Sequence, residues 1–100
     1  MIKQIDVTVQ GIVQGVSFRY YTRREAIRLG VAGWVANQAD GTVRVIAQGE
    51  EPLLLQLIEF LKQGSPSARV ENIKIEWKSV TKPFKRFKIC LFPNAFLSQL

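Results

Sequence analysis

Apolar and polar residues alternate from the start of the chain. Ile5, Val7 and Val9 are interleaved with Gln4, Asp6, Thr8 and Gln10, the period-two signature of a half-buried strand. The period then changes. Phe18, Thr22, Ala26 and Leu29 fall on one helical stripe; Tyr20 to Leu29 contains no Gly or Pro, and Gly30 ends the run. Tyr20, Tyr21 and Ile27 lie off the stripe, placed to cover neighbouring loops. Strands at about 33–38 and 42–49 enclose Gln38-Ala39-Asp40-Gly41, whose Asp-Gly pair is a strong hairpin signal. Pro52 suits a first helical turn, Leu54, Leu57, Ile58 and Leu61 supply an apolar face, and Gly64 stops the second helix. Ile73, Ile75 and Trp77 alternate with Asn72, Lys74, Glu76 and Lys78, and Phe87, Ile89 and Leu91 alternate in a fifth strand that Pro93 ends. The order βαββαββ predicts an α+β domain: an antiparallel sheet with two helices on one face.

Between the first strand and the first helix lies Gly11-Ile12-Val13-Gln14-Gly15-Val16-Ser17-Phe18-Arg19. A glycine-punctuated loop that opens a helix suits an anion. The first helical N–H groups have no internal partner, and the helix dipole puts partial positive charge there. Close glycines let the backbone turn its amides toward one point, and Arg19 adds a planar fork matched to phosphate oxygens. No Gly-Lys-Ser/Thr follows, so the loop is not a P-loop, and its glycine spacing is not that of a dinucleotide site. On its own, a Gly-x-x-x-Gly loop beside an arginine also reads as a plain turn with a solvated side chain.

A second segment changes that balance. Gly33-Trp34-Val35-Ala36-Asn37 is followed by Gly41-Thr42-Val43 and, after five residues, Gly49. With the first loop it resembles the acylphosphatase family, whose motifs read Gly-x-Val-Gln-Gly-Val-x-Phe/Tyr-Arg and Gly-aromatic-Val-x-Asn, three residues, Gly-x-Val, five residues, Gly. Gly64-Ser65-Pro66 is a weaker third echo, and the resemblance spans roughly residues 3 to 90.

The resemblance implies a ferredoxin-like α/β sandwich, βαββαβ with an added C-terminal strand. It also implies hydrolysis of acyl phosphates to carboxylate and inorganic phosphate, with no cofactor and no metal. The family's phosphate-binding arginine carries over to Arg19 and its water-positioning asparagine to Asn37. The loop Gln14, Gly15, Val16, Ser17, Phe18 and Arg19 would hold the phosphate through its amides. Asn37 carries both an acceptor and a donor, as water orientation requires. Gln14 either faces the ligand or braces the loop. Gly15 serves a positive φ or a close anion approach. Ser17, with no base to activate it, is read as an N–H donor and not a nucleophile. Trp34 and Phe18 are expected in the core, and Thr42 as a possible support for Asn37. Ala36 replaces a longer polar or basic residue common in the family, an expected loss of local charge.

Composition narrows the function classes. One hundred residues, 47% of them hydrophobic, allow one core, and no apolar stretch approaches the roughly 20 residues of a membrane span. With no histidine, Ser-His and Cys-His nucleophiles are excluded, and the single cysteine, Cys90, gives no internal disulfide or thiolate metal site. The N-terminus enters a strand with no leader pattern, so a cytoplasmic monomer is expected. The net charge of +6 invites a basic RNA-binding reading, since Arg19, Arg23, Arg24 and Arg28 crowd the first helix and Lys82, Lys85, Arg86 and Lys88 the last strand. Val43-Arg44-Val45-Ile46-Ala47 lacks the aromatic-rich motif of RNA-recognition modules, however. Positive charge also gathers phosphorylated small molecules. The expected domain is 1–91, with 92–100 an apolar tail packed back on it. The leading reading is an acylphosphatase acting on a small acyl phosphate, with phosphate as product and inhibitor. Its competitors are a phosphate-binding module of the same shape without turnover, and the RNA-binding domain.

Overall fold

The computed structural model describes residues 1–91; the expected tail, 92–100, lies outside the described residues. In chain order the elements are β1 (Ile2–Ile12), α1 (Phe18–Leu29), β2 (Ala32–Asn37), β3 (Val43–Glu50), α2 (Glu51–Gln63), β4 (Arg69–Lys78) and β5 (Phe87–Cys90). The hairpin strands sit within one residue of the expected bounds. Both helical stripes are buried as the spacing predicts: Phe18, Thr22, Ala26 and Leu29 on α1, and Leu54, Leu57, Ile58 and Leu61 on α2. Gly30 closes α1 in a left-handed conformation, its N–H donating to the carbonyls of Ala26 and Ile27.

The strands form one sheet in the order β4-β1-β3-β2-β5. β1 runs antiparallel to both β3 and β4, and β2 antiparallel to β3. The expectation of a wholly antiparallel sheet needs correction: β5 pairs parallel to β2, with Val35 opposite Ile89 and Ala36 opposite Cys90. Alternation assigns residues to faces, but it does not reveal which edge a last strand joins. At this junction the Gly33 N–H donates to the Arg86 carbonyl at 2.9 Å; on its other side Gly33 lies close against β3, where a Cβ would come 1.9 Å from the Ile46 carbonyl oxygen.

Ile5, Val7 and Val9 of β1 and Val43, Val45 and Ala47 of β3 face the helices and join their stripes in one core. Trp34, Ala36, Ile46 and Cys90 form a smaller cluster on the opposite face, capped by Phe84. The segment between β4 and β5 must pass from one sheet edge to the other, and it crosses this second face. Gln48 fastens it: the side-chain amide donates to the Lys82 carbonyl and accepts from the Phe84 N–H, at 2.8 and 2.9 Å.

On the same face, Arg44 grips Asp6 with two bonds of 3.0 and 2.7 Å, and Lys78 adds a third contact at 3.3 Å. Burial pushes the Asp6 carboxyl up, but the bonds to Arg44 and Lys78 together outweigh it and leave the group below its ordinary value. A carboxyl that titrates lower when folded stabilises the fold above its unfolded pKa, about 4, and loses that contribution as pH falls through the lowered value. Asp6→Asn is therefore expected to unfold at lower urea than wild type at neutral pH. The gap between their midpoints should narrow below about pH 4.

Candidate active site

The loop from β1 to α1 is shaped by two left-handed residues, Gly15 at φ 73° and Ser17 at φ 62°. Gly15 adopts this conformation without steric cost, whereas Ser17 is strained there, a cost of order 1–2 kcal/mol that a loop retains where its shape is needed. Ser17 is the N-cap of α1, yet its side chain makes no capping bond. The first helical bond runs from the Tyr21 N–H to the Ser17 carbonyl. Among the described residues, the N–H groups of Gly15, Val16 and Ser17 donate to no protein acceptor. No acidic residue lies in the first turn, and Arg19 occupies its second position. A cation beside a positive helix end is unfavourable unless an anion joins them. Arg19 is half-buried, with no carboxylate partner among the described residues.

Asn37 ends β2, where the hairpin turns. Its side-chain amide oxygen, Oδ1, is buried and accepts no hydrogen bond among the described residues. A buried acceptor left open costs about 1–3 kcal/mol, so it marks a place where a ligand or water is expected to bind. The hairpin behind it is tightly organised. Thr42 donates its N–H and hydroxyl to Asp40 at 3.0 and 2.6 Å, and its hydroxyl accepts from the Gln38 side chain at 2.8 Å. Thr42 has no bond to Asn37 itself; it shapes the turn that Asn37 enters.

Gln14 joins the two segments. Its side-chain amide donates to the carbonyls of Gln38 and Thr42, at 2.8 and 2.9 Å. Of the two roles open to Gln14, the side chain takes the bracing one. Gln14→Ala should therefore loosen the loop against the hairpin. We expect a loss of about 1–2 kcal/mol of stability and about a tenfold fall in kcat/KM from misplacement alone. Thermal melts and kinetics below the melting range check both.

The loop, helix start and hairpin enclose a cavity of about 380 Å³, lined by Val13, Gly15, Ser17, Phe18, Arg19, Tyr20 and Asn37. Arg19 and Asn37, far apart in sequence, thus share one cavity. Gln14, Val16 and Thr42 do not line it; Val16 packs partly against the core, and the Phe18 ring is buried beneath α1. Trp34, as expected, is core.

Sequence reasoning missed three residues. Ile89 and Leu91, expected to alternate into the core, line the cavity and remain 38% and 67% exposed. Ser65, present in the third motif echo, donates its hydroxyl to the Val16 carbonyl at 2.7 Å. The expectation for Ala36 is also corrected. It is fully buried with Trp34 and Ile46 on the sheet face away from the helices, so it takes no charge from the cavity. Of the α1 cations, Arg28 is paired with Glu25 and Arg24 stacks over Tyr21 at 4.6 Å, and both stay exposed.

A wider groove of about 840 Å³ lies among Met1, Lys3, Leu55 and Trp77. Size does not make it the better candidate, since Lys3 there is engaged with Glu51 and no lining residue carries a buried unpaired side-chain acceptor among the described residues.

The acylphosphatase family model matches residues 5–89. An acylphosphatase of Pelotomaculum thermopropionicum is 45% identical over 83 residues, 83% of this chain and 90% of that protein. One from Salinibacter ruber is 42% identical, over 87% of this chain and 92% of its own length. Among solved structures, the crystal structure of acylphosphatase from Bacillus subtilis superposes with a TM-score of 0.86 at 39% identity, covering 90% of this chain and 99% of that one. With its fold, both motif segments and nearly its whole described length in agreement, the chain belongs to the acylphosphatase family.

Proposed function

We propose that the cavity between the Gly15–Arg19 loop and Asn37 carries out the family's reaction as follows. The dianionic phosphoryl group of an acyl phosphate sits against the loop amides and the Arg19 guanidinium. The Asn37 side-chain Oδ1 accepts a bond from a water molecule and aims it at phosphorus, opposite the acyl oxygen. As the water oxygen bonds to phosphorus, the bond to the acyl oxygen breaks and its electron pair leaves with the carboxylate. The water's protons pass to phosphate and solvent.

This division of labour suits the chemistry. Phosphoryl transfer passes through a loose transition state, so catalysis rests on position and charge stabilisation. Pre-aimed amides and a guanidinium stabilise the three equatorial oxygens without reorganising during the reaction. A carboxylate is a good leaving group, and this reduces the need for a general acid. A chain with no histidine is therefore not handicapped. The observation that supports the reading is that Asn37, whose buried side-chain oxygen has no partner among the described residues, lines the same cavity as Arg19. A cytoplasmic monomer, with phosphate as product and competitive inhibitor, completes the proposal.

The test is hydrolysis of benzoyl phosphate with chelator present, followed by loss of its absorbance. Turnover well above buffer, competitively inhibited by inorganic phosphate, supports the reading. Phosphate binding without turnover would assign the cavity to a binding module instead. Binding of RNA that falls steeply with salt and ignores millimolar phosphate would favour the basic RNA-binding reading.

A further inference from the structure

Ser65 sits just after α2, far from Arg19 in sequence, and is only 3% exposed. Its hydroxyl donates to the Val16 carbonyl at 2.7 Å. That carbonyl belongs to the same peptide unit as the Ser17 N–H. The chain contains no cis peptide bond among the described residues, so C=O and N–H of this unit point in opposite directions. Holding the Val16 oxygen toward Ser65 therefore turns the Ser17 N–H away from the α2 terminus. Ser17 lines the cavity, and its N–H has no protein acceptor among the described residues.

From this juxtaposition we infer that Ser65 is a positioning residue: by anchoring the Val16 carbonyl, it aims the Ser17 amide at the phosphoryl group. The inference rests on the cradle reading above and adds a member that touches no substrate. It also explains why Ser17, without glycine's freedom, is held at φ 62°. The anchor has a further effect, because a hydrogen bond accepted by a carbonyl polarises its peptide and strengthens the N–H as a donor. Gly64 fixes the neighbouring contact: a Cβ there would come within 2.9 Å of the Phe18 ring, so α2 ends close against the start of α1.

The experiment is amide NMR during titration with inorganic phosphate, for wild type, Ser65→Ala and Ser65→Thr, with thermal melts alongside. In wild type the Ser17 amide should move downfield together with the Arg19 signals. Ser65→Ala should bind phosphate about tenfold more weakly, as expected for one misaimed charge-assisted bond. Its Ser17 shift should be small while the Arg19 response persists, and Ser65→Thr should restore both. An Arg19 response in wild type with no Ser17 response overturns the inference whether or not Ser65→Ala folds, and leaves the cradle standing. Equal affinity and an equal Ser17 shift in Ser65→Ala overturn it too. If neither Arg19 nor the loop responds in wild type, the cradle reading falls and this inference with it.

Discussion

Arg19→Ala is expected to lower kcat/KM for benzoyl phosphate at least about a hundredfold, roughly 2.7 kcal/mol of transition-state stabilisation. The reason lies in where the side chain is. Arg19 is the second residue of α1, on a helix end with no acidic residue, and it lines the cavity with no carboxylate partner among the described residues. Its charge is thus available to an incoming anion. Inhibition by inorganic phosphate should weaken alongside activity, because the proposed guanidinium contacts are to oxygens present in both ground and transition states. Arg19→Lys should recover only part of the loss: an ammonium keeps the charge but not the two-pronged geometry. The melting temperature of Arg19→Ala should stay close to wild type, since no protein bond is removed.

Asn37→Ala is expected to lower kcat by a similar factor, at least about a hundredfold, while leaving inhibition by phosphate nearly unchanged. Its amide is assigned to the water and not to the phosphoryl group, so the two variants should separate binding from turnover. The buried Asn37 oxygen accepts no protein hydrogen bond among the described residues, so removing it strips no structural partner from the hairpin. A fall in kcat with unchanged melting would therefore report on chemistry. Asn37→Asp should also be poor, because a carboxylate beside a dianionic phosphoryl group repels it and lacks the amide's donor.

The features legible in the sequence are those set by local rules. The α1 and α2 stripes follow from helical spacing, and the Asp40-Gly41 turn from backbone preferences, so these elements lie within a residue or two of expectation. Arg19 and Asn37 were singled out by the resemblance of two spaced motifs, and the structure adds that both line one cavity, which no local rule dictates for residues 18 apart. What escaped was set by distant partners. The parallel pairing of β5 depends on which edge is open, and the exposure of Ile89 and Leu91 depends on where the helix layer stops covering the sheet. Gln14 was ambiguous because an amide donor serves a ligand or a carbonyl equally well, and only the hairpin's position decides. Ser65 stands in the sequence only as part of the weaker third motif echo, and its bond to Val16 spans half the chain. Ala36 is different: strand alternation alone puts it on the face opposite Asn37, so its placement could have been read beforehand.

The most direct test of the account is hydrolysis of benzoyl phosphate in water enriched in oxygen-18, with the label located by mass spectrometry. Attack by an Asn37-held water on a phosphoryl group gripped by Arg19 puts the label into inorganic phosphate and leaves benzoate unlabelled. Label in benzoate would mean that water attacks the carbonyl carbon, which contradicts the mechanism and the roles of both residues.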